Sequence, residues 1–230
     1  MNTFTPTNIW IQRQYFRLCV MCLAIVIISG CSALLPAPLP QPFYYSLDAM
    51  ASQTPLFSNT STPISTKPTI LINNPHAAAG YDTRHIIYTR QAHKLEYYSQ
   101  SEWVESPAHM LVPLISRAIE RSGVFSAVVL APTNITADFR LDSDIVRLHQ
   151  AFDSGPSKVF FTLRVYIISN VTRKVIAVRE FDEIAVSKTD NPYGGVIAAN
   201  QVVQTTLEKL TAFCNEKDVQ AKLRLAILKD

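Results

Sequence analysis

The sequence predicts an α+β fold, a mostly antiparallel sheet with two main helices packed on one face. Three observations carry this. Residues 138–150, 158–169 and 174–188 are long β-branched or aromatic stretches with short links, the pattern of an antiparallel meander. Two stretches with apolar residues at three- and four-residue spacing, opened by Ser106-Pro107 and Asn191-Pro192, are amphipathic helices. The order of strands, helix, several strands, helix places both helices on one side.

The chain opens on a different kind of signal. Residues 18–31 (LCVMCLAIVIISGC) are apolar, follow Arg13 and Arg17, and end in small Ser29 and Gly30 before Cys31. A positive start, a short apolar core and small residues at the cut are the secretory pattern. The core is shorter than the roughly 20 apolar residues a spanning helix needs. It resembles a bacterial lipobox, with Ile28 where leucine is commoner. Residues 1–30 are thus expected to leave as a lipoprotein signal peptide. The Cys31 thiol then takes diacylglycerol, and its freed amine takes a further acyl chain such as palmitate. Each buried methylene contributes about 0.8 kcal/mol, and two or more chains anchor stably. An uncleaved membrane anchor, or a cytoplasmic protein with an apolar start, is the competing reading. Ser32, not Asp, follows the cysteine; in enterobacterial sorting that favours the outer membrane.

The chain is 48% hydrophobic and 17% charged, enough for one sizeable core. Its 21 Lys+Arg and 18 Asp+Glu give +3; loss of Arg13 and Arg17 leaves +1. That balance gives no reason to expect nucleic acid as a partner. Cys19 and Cys22 leave with the signal and Cys31 is acylated, so Cys214 stands alone without a disulfide partner, as a small buried hydrophobe.

Residues 31–42 carry Pro36, Pro38, Pro40 and Pro42, a tether of extended polyproline character. Residues 43–47 (FYYSL) read as a short strand, 48–67 as a mobile polar loop, and 68–72 (PTILI) as a buried strand. Residues 84–89 and 94–99 form two strands about a turn. Ser106 caps a helix with Pro107 at its first position, and Gly123 stops it. Pro113 predicts a kink or a later start. Residues 124–130 read as a strand. Along 138–150 the apolar phase changes from Phe139 and Leu141 to Val146 and Leu148, which predicts a bulge. Asn191-Pro192 opens the second helix, weakened by Gly194 and Gly195. The folded domain is expected over 43–213, with a tail over 214–230 that reads as a short amphipathic helix.

No catalytic, metal or cofactor site emerges. His76, His85, His93, His109 and His149 are scattered without metal-ligand spacing. Asp142 and Asp144 share a strand face; paired carboxylates suit acid–base work, against the plainer reading of a solvated face. Tyr88, Tyr97, Tyr98 and Trp103 cluster in sequence and predict an aromatic binding patch for an acyl chain or a partner, with core packing as the alternative.

Several stretches together carry a resemblance. These are residues 43–47 after the lipobox, 81–88 (YDTRHIIY), 95–98 (LEYY), and Trp103 before a proline-opened helix. The helix then runs into 121–128 (RSGVFSAV), and Phe139-Arg140-Leu141-Asp142 and the Asn191-Pro192-Tyr193 helix follow. In that order they are similar to the ABC-type transport auxiliary lipoprotein family, from about Phe43 to Phe213. The resemblance implies an outer-membrane lipoprotein on the periplasmic face, not an enzyme. Its implied partners are an inner-membrane ABC transporter, an MCE-domain periplasmic protein and lipid or other hydrophobic cargo, with assembly into a homo-oligomeric ring in some members. The family brings no established catalytic residues. The alternative from another class is a self-contained periplasmic lipid or lipoprotein carrier; a cell-envelope hydrolase ranks below both for want of a nucleophile constellation.

Overall fold

The computed structural model describes residues 13–21, 41–48, 67–153 and 155–228. Cys31, most of the tether and nearly all of the loop over 48–67 lie outside the described residues. The chain divides into two units, Met1–Gln41 and Pro42–Asp230. In the first, residues 13–21 form helix α1. No described helix is long and apolar enough to cross a membrane.

The second unit is α+β. Its strands are β1 (Phe43–Tyr45), β2 (Thr69–Ile72), β3 (His76–Ala77), β4 (His85–Gln91), β5 (Lys94–Trp103), β6 (Ala127–Leu130), β7 (Phe139–Ala151), β8 (Lys158–Ser169) and β9 (Val175–Val186). Helix α2 (Pro107–Ser122) lies between β5 and β6, and α3 (Pro192–Cys214) and α4 (Lys217–Ile227) close the chain.

β7, β8 and β9 form the expected meander, with an almost unbroken antiparallel register. The bulge falls between the Ile145 and Arg147 pairings, where the phase of apolar residues changes. The sheet as a whole is mixed. Along its other edge β7 takes β2, β3 and β4 in series, all parallel. β6 adds to β2 and β1 to β5, again parallel, while β4 and β5 pair antiparallel. The antiparallel ladders are the long ones; the parallel additions are two to four residue pairs each.

α2 and α3 pack together, α3 against β8 and β9 and α2 against β6 and β2. Leu111, Ile115 and Ile119 on α2 meet Val203, Leu207 and Leu210 on α3 and the inward residues Phe139, Leu141, Phe161, Leu163 and Ile167 in one core. Fully burying such a side chain contributes about 1.5–3 kcal/mol. α2 begins at Pro107 as expected and Gly123 ends it with φ 65°, the left-handed conformation glycine takes without strain. Pro113 does not delay the helix. It and His109, whose carbonyl it leaves without a helical partner, both lie on the exposed face, where that carbonyl is open to solvent. Asn191 caps α3, its side chain accepting from the Gly194 amide at 2.8 Å. The two glycines at 194 and 195 are required by proximity. A methyl on Gly194 would run into the Thr189 carbonyl, and one on Gly195 into the Gln150 carboxamide.

The face of β7–β9 away from the helices mixes ion pairs with exposed apolar side chains such as Val178, Ile184 and Val186. Arg140 pairs with Asp142 at 3.1 Å, Arg147 with Asp182 at 2.8 Å and Arg164 with Glu180. Partly exposed pairs of this kind are worth ~1 kcal/mol or less each.

Candidate functional site

β5 alternates its side chains, so Tyr97 and Tyr98 point to opposite faces. Tyr98 packs against Tyr88 of β4 with ring centroids 4.5 Å apart, and the Phe152 ring meets Tyr88 edge-on at 5.9 Å. The Arg90 guanidinium lies 5.0 Å over Tyr88. The Tyr98 hydroxyl donates to Gln150 Oε1 at 2.9 Å. Gln150 is buried and its Nε2 donates to Ser157 Oγ at 2.8 Å and to Ser187 Oγ at 3.4 Å. Burial, aided by Tyr88, pushes the Tyr98 phenol up to about 12, so it stays a donor across the physiological range.

Tyr97 is 58% exposed and stacks on His85 at 4.4 Å. Trp103 is 3% exposed and belongs to the core, so it does not join an exposed patch. Tyr97 and Trp103 have the same parity, yet their surroundings differ. The register slips between the His85–Glu102 and Ile87–Tyr97 pairings, so β5 bends between the two aromatics. The four aromatics chosen from sequence thus separate into a half-buried pair (Tyr88, Tyr98), an exposed ring (Tyr97) and a core ring (Trp103).

Two further aromatics complete the surface. Phe43 in β1 is 66% exposed and Tyr193 in the first turn of α3 is 59% exposed. Tyr193 lies 6.3 Å from Tyr45. With Tyr98, Ser99, Gln100, Ser101, Asn191 and Pro192 they line a cleft of about 440 Å³ beside the point where the chain enters the folded unit. Phe43-Tyr44-Tyr45 was visible as a strand, and Tyr193 follows a helix-opening proline; neither signal separates a surface aromatic from a core one. The cleft offers aromatic faces, hydroxyls and amides, and among the described residues no carboxylate or imidazole. It can hold an apolar or amphipathic surface; it does not hold an acid–base pair.

The other candidates stay apart from it. Asp142 accepts from Asn73 Nδ2 at 2.6 Å and pairs with Arg140. Asp144 lies 3.9 Å from His76. His149 stacks on Phe160 and its Nδ1 lies 3.1 Å from the Tyr81 hydroxyl; burial first, then Arg147, lowers its pKa. Among the described residues no group of three or more His, Cys, Asp or Glu side chains is placed to hold a metal. Cys214 is fully buried and burial pushes its thiol up to about 12. Cys31 lies outside the described residues.

Fold and cleft together describe an α+β module with an open aromatic cleft. The chain belongs to the family of the ABC-type transport auxiliary lipoprotein component, whose model matches residues 45–211. That is a family of transport auxiliary lipoproteins, not of enzymes. Among solved structures, the chain is similar to protein XCC0632 from Xanthomonas campestris, of the DUF330 family. Identity is 20%, over 67% of this chain and 86% of that one, with a TM-score of 0.59. An uncharacterized protein is similar at 11% identity over 75% and 98% of the two chains, with a TM-score of 0.56. At these identities the likeness concerns the fold. No curated protein matches the chain.

Proposed function

We propose that this protein is an outer-membrane lipoprotein, anchored through acyl chains on Cys31, that serves an ABC transporter of the inner membrane from the periplasmic side. Its partner is an MCE-domain protein, and the cargo is a lipid or another hydrophobic molecule. The transporter's ATPase supplies the energy; this chain supplies a docking surface, presented by several copies in a ring. The observation that carries the reading is the exposed Phe43 and Tyr193 lining the cleft at the start of the folded unit, in a chain of this family. Exposed aromatic rings are the anchors that binding interfaces favour.

Crosslinking and co-purification with an MCE-domain protein from the same cells test the reading. The wild-type chain is expected to recover that protein, and the Phe43→Ala, Tyr193→Ala double variant to recover several-fold less at unchanged stability. Failure of the wild-type chain to recover it, or equal recovery by the double variant, overturns the docking face. The anchor has its own test: Cys31→Ser loses the acyl mass and leaves the membrane fraction, and an unchanged mass with unchanged fractionation overturns lipidation at Cys31.

A further inference from the structure

A second cleft, of about 630 Å³, lies at the other end of α3, against α4. Its volume falls in the range of small-molecule sites, roughly 300–1,000 Å³. Val124, Leu223, Ile227 and Leu228 give it apolar walls, and Lys67 and Arg224 bring two cations to the same lining, which contains no acidic side chain among the described residues. The cations differ in their engagement. Lys67 Nζ donates to the Gly123 carbonyl at 2.8 Å. The Arg224 guanidinium makes no ion pair or hydrogen bond among the described residues, although Lys222 on the same helix pairs with Asp218 at 2.7 Å. The last turn of α4 is unusual as well. Val219 and Leu223 are buried, but Ile227 is exposed and Leu228 is 81% exposed, leaving aliphatic surface in water beside the unpaired guanidinium. All the α4 residues of this cleft lie beyond residue 211, where the family match ends.

We infer that this cleft binds an anionic amphiphile, its acyl chain along Val124, Leu223, Ile227 and Leu228 and its acid group on Arg224. A guanidinium presents a planar fork of donors that matches a carboxylate or phosphate with two parallel hydrogen bonds. Covering the end of α4 removes the exposed aliphatic area from water at about 25 cal/mol per Å². The shared chemistry, a single negative head and a hydrocarbon tail, fits a free fatty acid or an anionic phospholipid. The inference rests on the transport reading only for the source of that lipid, and its test needs no transporter, so its failure leaves the docking reading untouched.

The test uses the full chain in its own membranes. Three photoreactive probes are added separately: a 16-carbon diazirine fatty acid, and diazirine-tailed phosphatidylglycerol and phosphatidylcholine. After irradiation the adducts are mapped by peptide mass spectrometry. Adducts are expected on the peptides carrying Val124 and residues 223–228 with the fatty acid, with phosphatidylglycerol, or with both, and whichever labels identifies the source. Arg224→Glu is expected to lower this labelling about tenfold or more while the thermal midpoint stays at the wild-type value. Arg224→Lys keeps an intermediate level, and Leu228→Asp loses labelling without touching the cation. Adducts spread over the surface overturn the site, as does equal labelling by phosphatidylcholine or labelling indifferent to Arg224→Glu. Labelling that arises only when residues 49–66 are deleted also overturns it, because the chain's own loop is then the occupant.

Discussion

Gln150 ties together four parts of the second unit, and its replacement by leucine tests that role. The side chain is buried at the end of β7. It accepts from Tyr98 of β5 and donates to Ser157 before β8 and to Ser187 after β9, while its carboxamide fills the space that Gly195 of α3 leaves open. Leucine keeps the approximate volume and removes all three hydrogen bonds. A net bond contributes roughly 1 kcal/mol, and the 3.4 Å bond to Ser187 less than the others. Gln150→Leu should therefore cost about 2–3 kcal/mol, and Tyr98→Phe, which removes one bond, about 1 kcal/mol. Urea unfolding followed by the fluorescence of buried Trp103 measures both. A Gln150→Leu cost below about 1 kcal/mol, or equal costs for the two variants, would refute the reasoning. The pH dependence is a second reading of the same contact. The Tyr98 phenol is pushed up to about 12 from 10.0. The unfolded chain therefore releases this proton first as pH rises. The stabilisation is complete below pH 10 and is lost as pH climbs toward 12. Tyr98→Phe should flatten that decline.

Three further outcomes follow from the packing. Alanine for glycine inside a helix ordinarily stabilises, but Gly195→Ala forces a methyl into the Gln150 carboxamide and should instead cost about 1–3 kcal/mol, read by thermal unfolding. His149 is held below its ordinary pKa by burial and then by Arg147, so the unfolded chain binds protons that the folded chain refuses. Stability should thus be complete above about pH 6.5 and fall as pH drops below it, and His149→Gln should lessen the fall, with the folded-state titration read by proton NMR. Cys214 should resist thiol reagents in the folded protein and react at once in urea, and Cys214→Ser, which buries a hydroxyl, should cost about 1–3 kcal/mol by the same denaturation assay.

Elements stated locally in the chain were legible before the structure. Ser106-Pro107 and Asn191-Pro192 mark the helix starts, and the alternation of β7 shows its bulge through Val146. What depends on distant partners was not. β3 is two residues long and exists because His76 and Ala77 meet Asp144 and Ile145, a pairing that no periodicity records. The parallel attachment of β2 and β4 is equally non-local; it adds parallel strands to a sheet whose long ladders are antiparallel, as expected. Along β5, alternation groups Tyr97 with Trp103, and only the slip between β4 and β5 separates them. Gln150 gave no signal either: a glutamine at the end of a strand looks like a surface residue until Tyr98, Ser157 and Ser187 close around it.

The way β4 joins β7 has a mechanical consequence. Only the pairs Tyr88–Gln150 and Thr89–Ala151 register there, with one more bond from the Phe152 amide to the Thr89 carbonyl at 2.8 Å. β7 and β8, by contrast, are paired over nearly their whole length. The subsheet of β1, β5 and β4 therefore meets the panel of β7–β9 along a short backbone seam, with Ile86 and Trp103 in the shared core and Asn200 of α3 bonded to Ser46 and Asp48 behind it, and the aromatic cleft lies partly on this subsheet. Amide exchange should open β4 and β5 at a lower free energy than β7 and β8. A partner that grips Phe43 and Tyr97 pulls on that seam, whereas one that grips Tyr193 pulls on the panel's own helix.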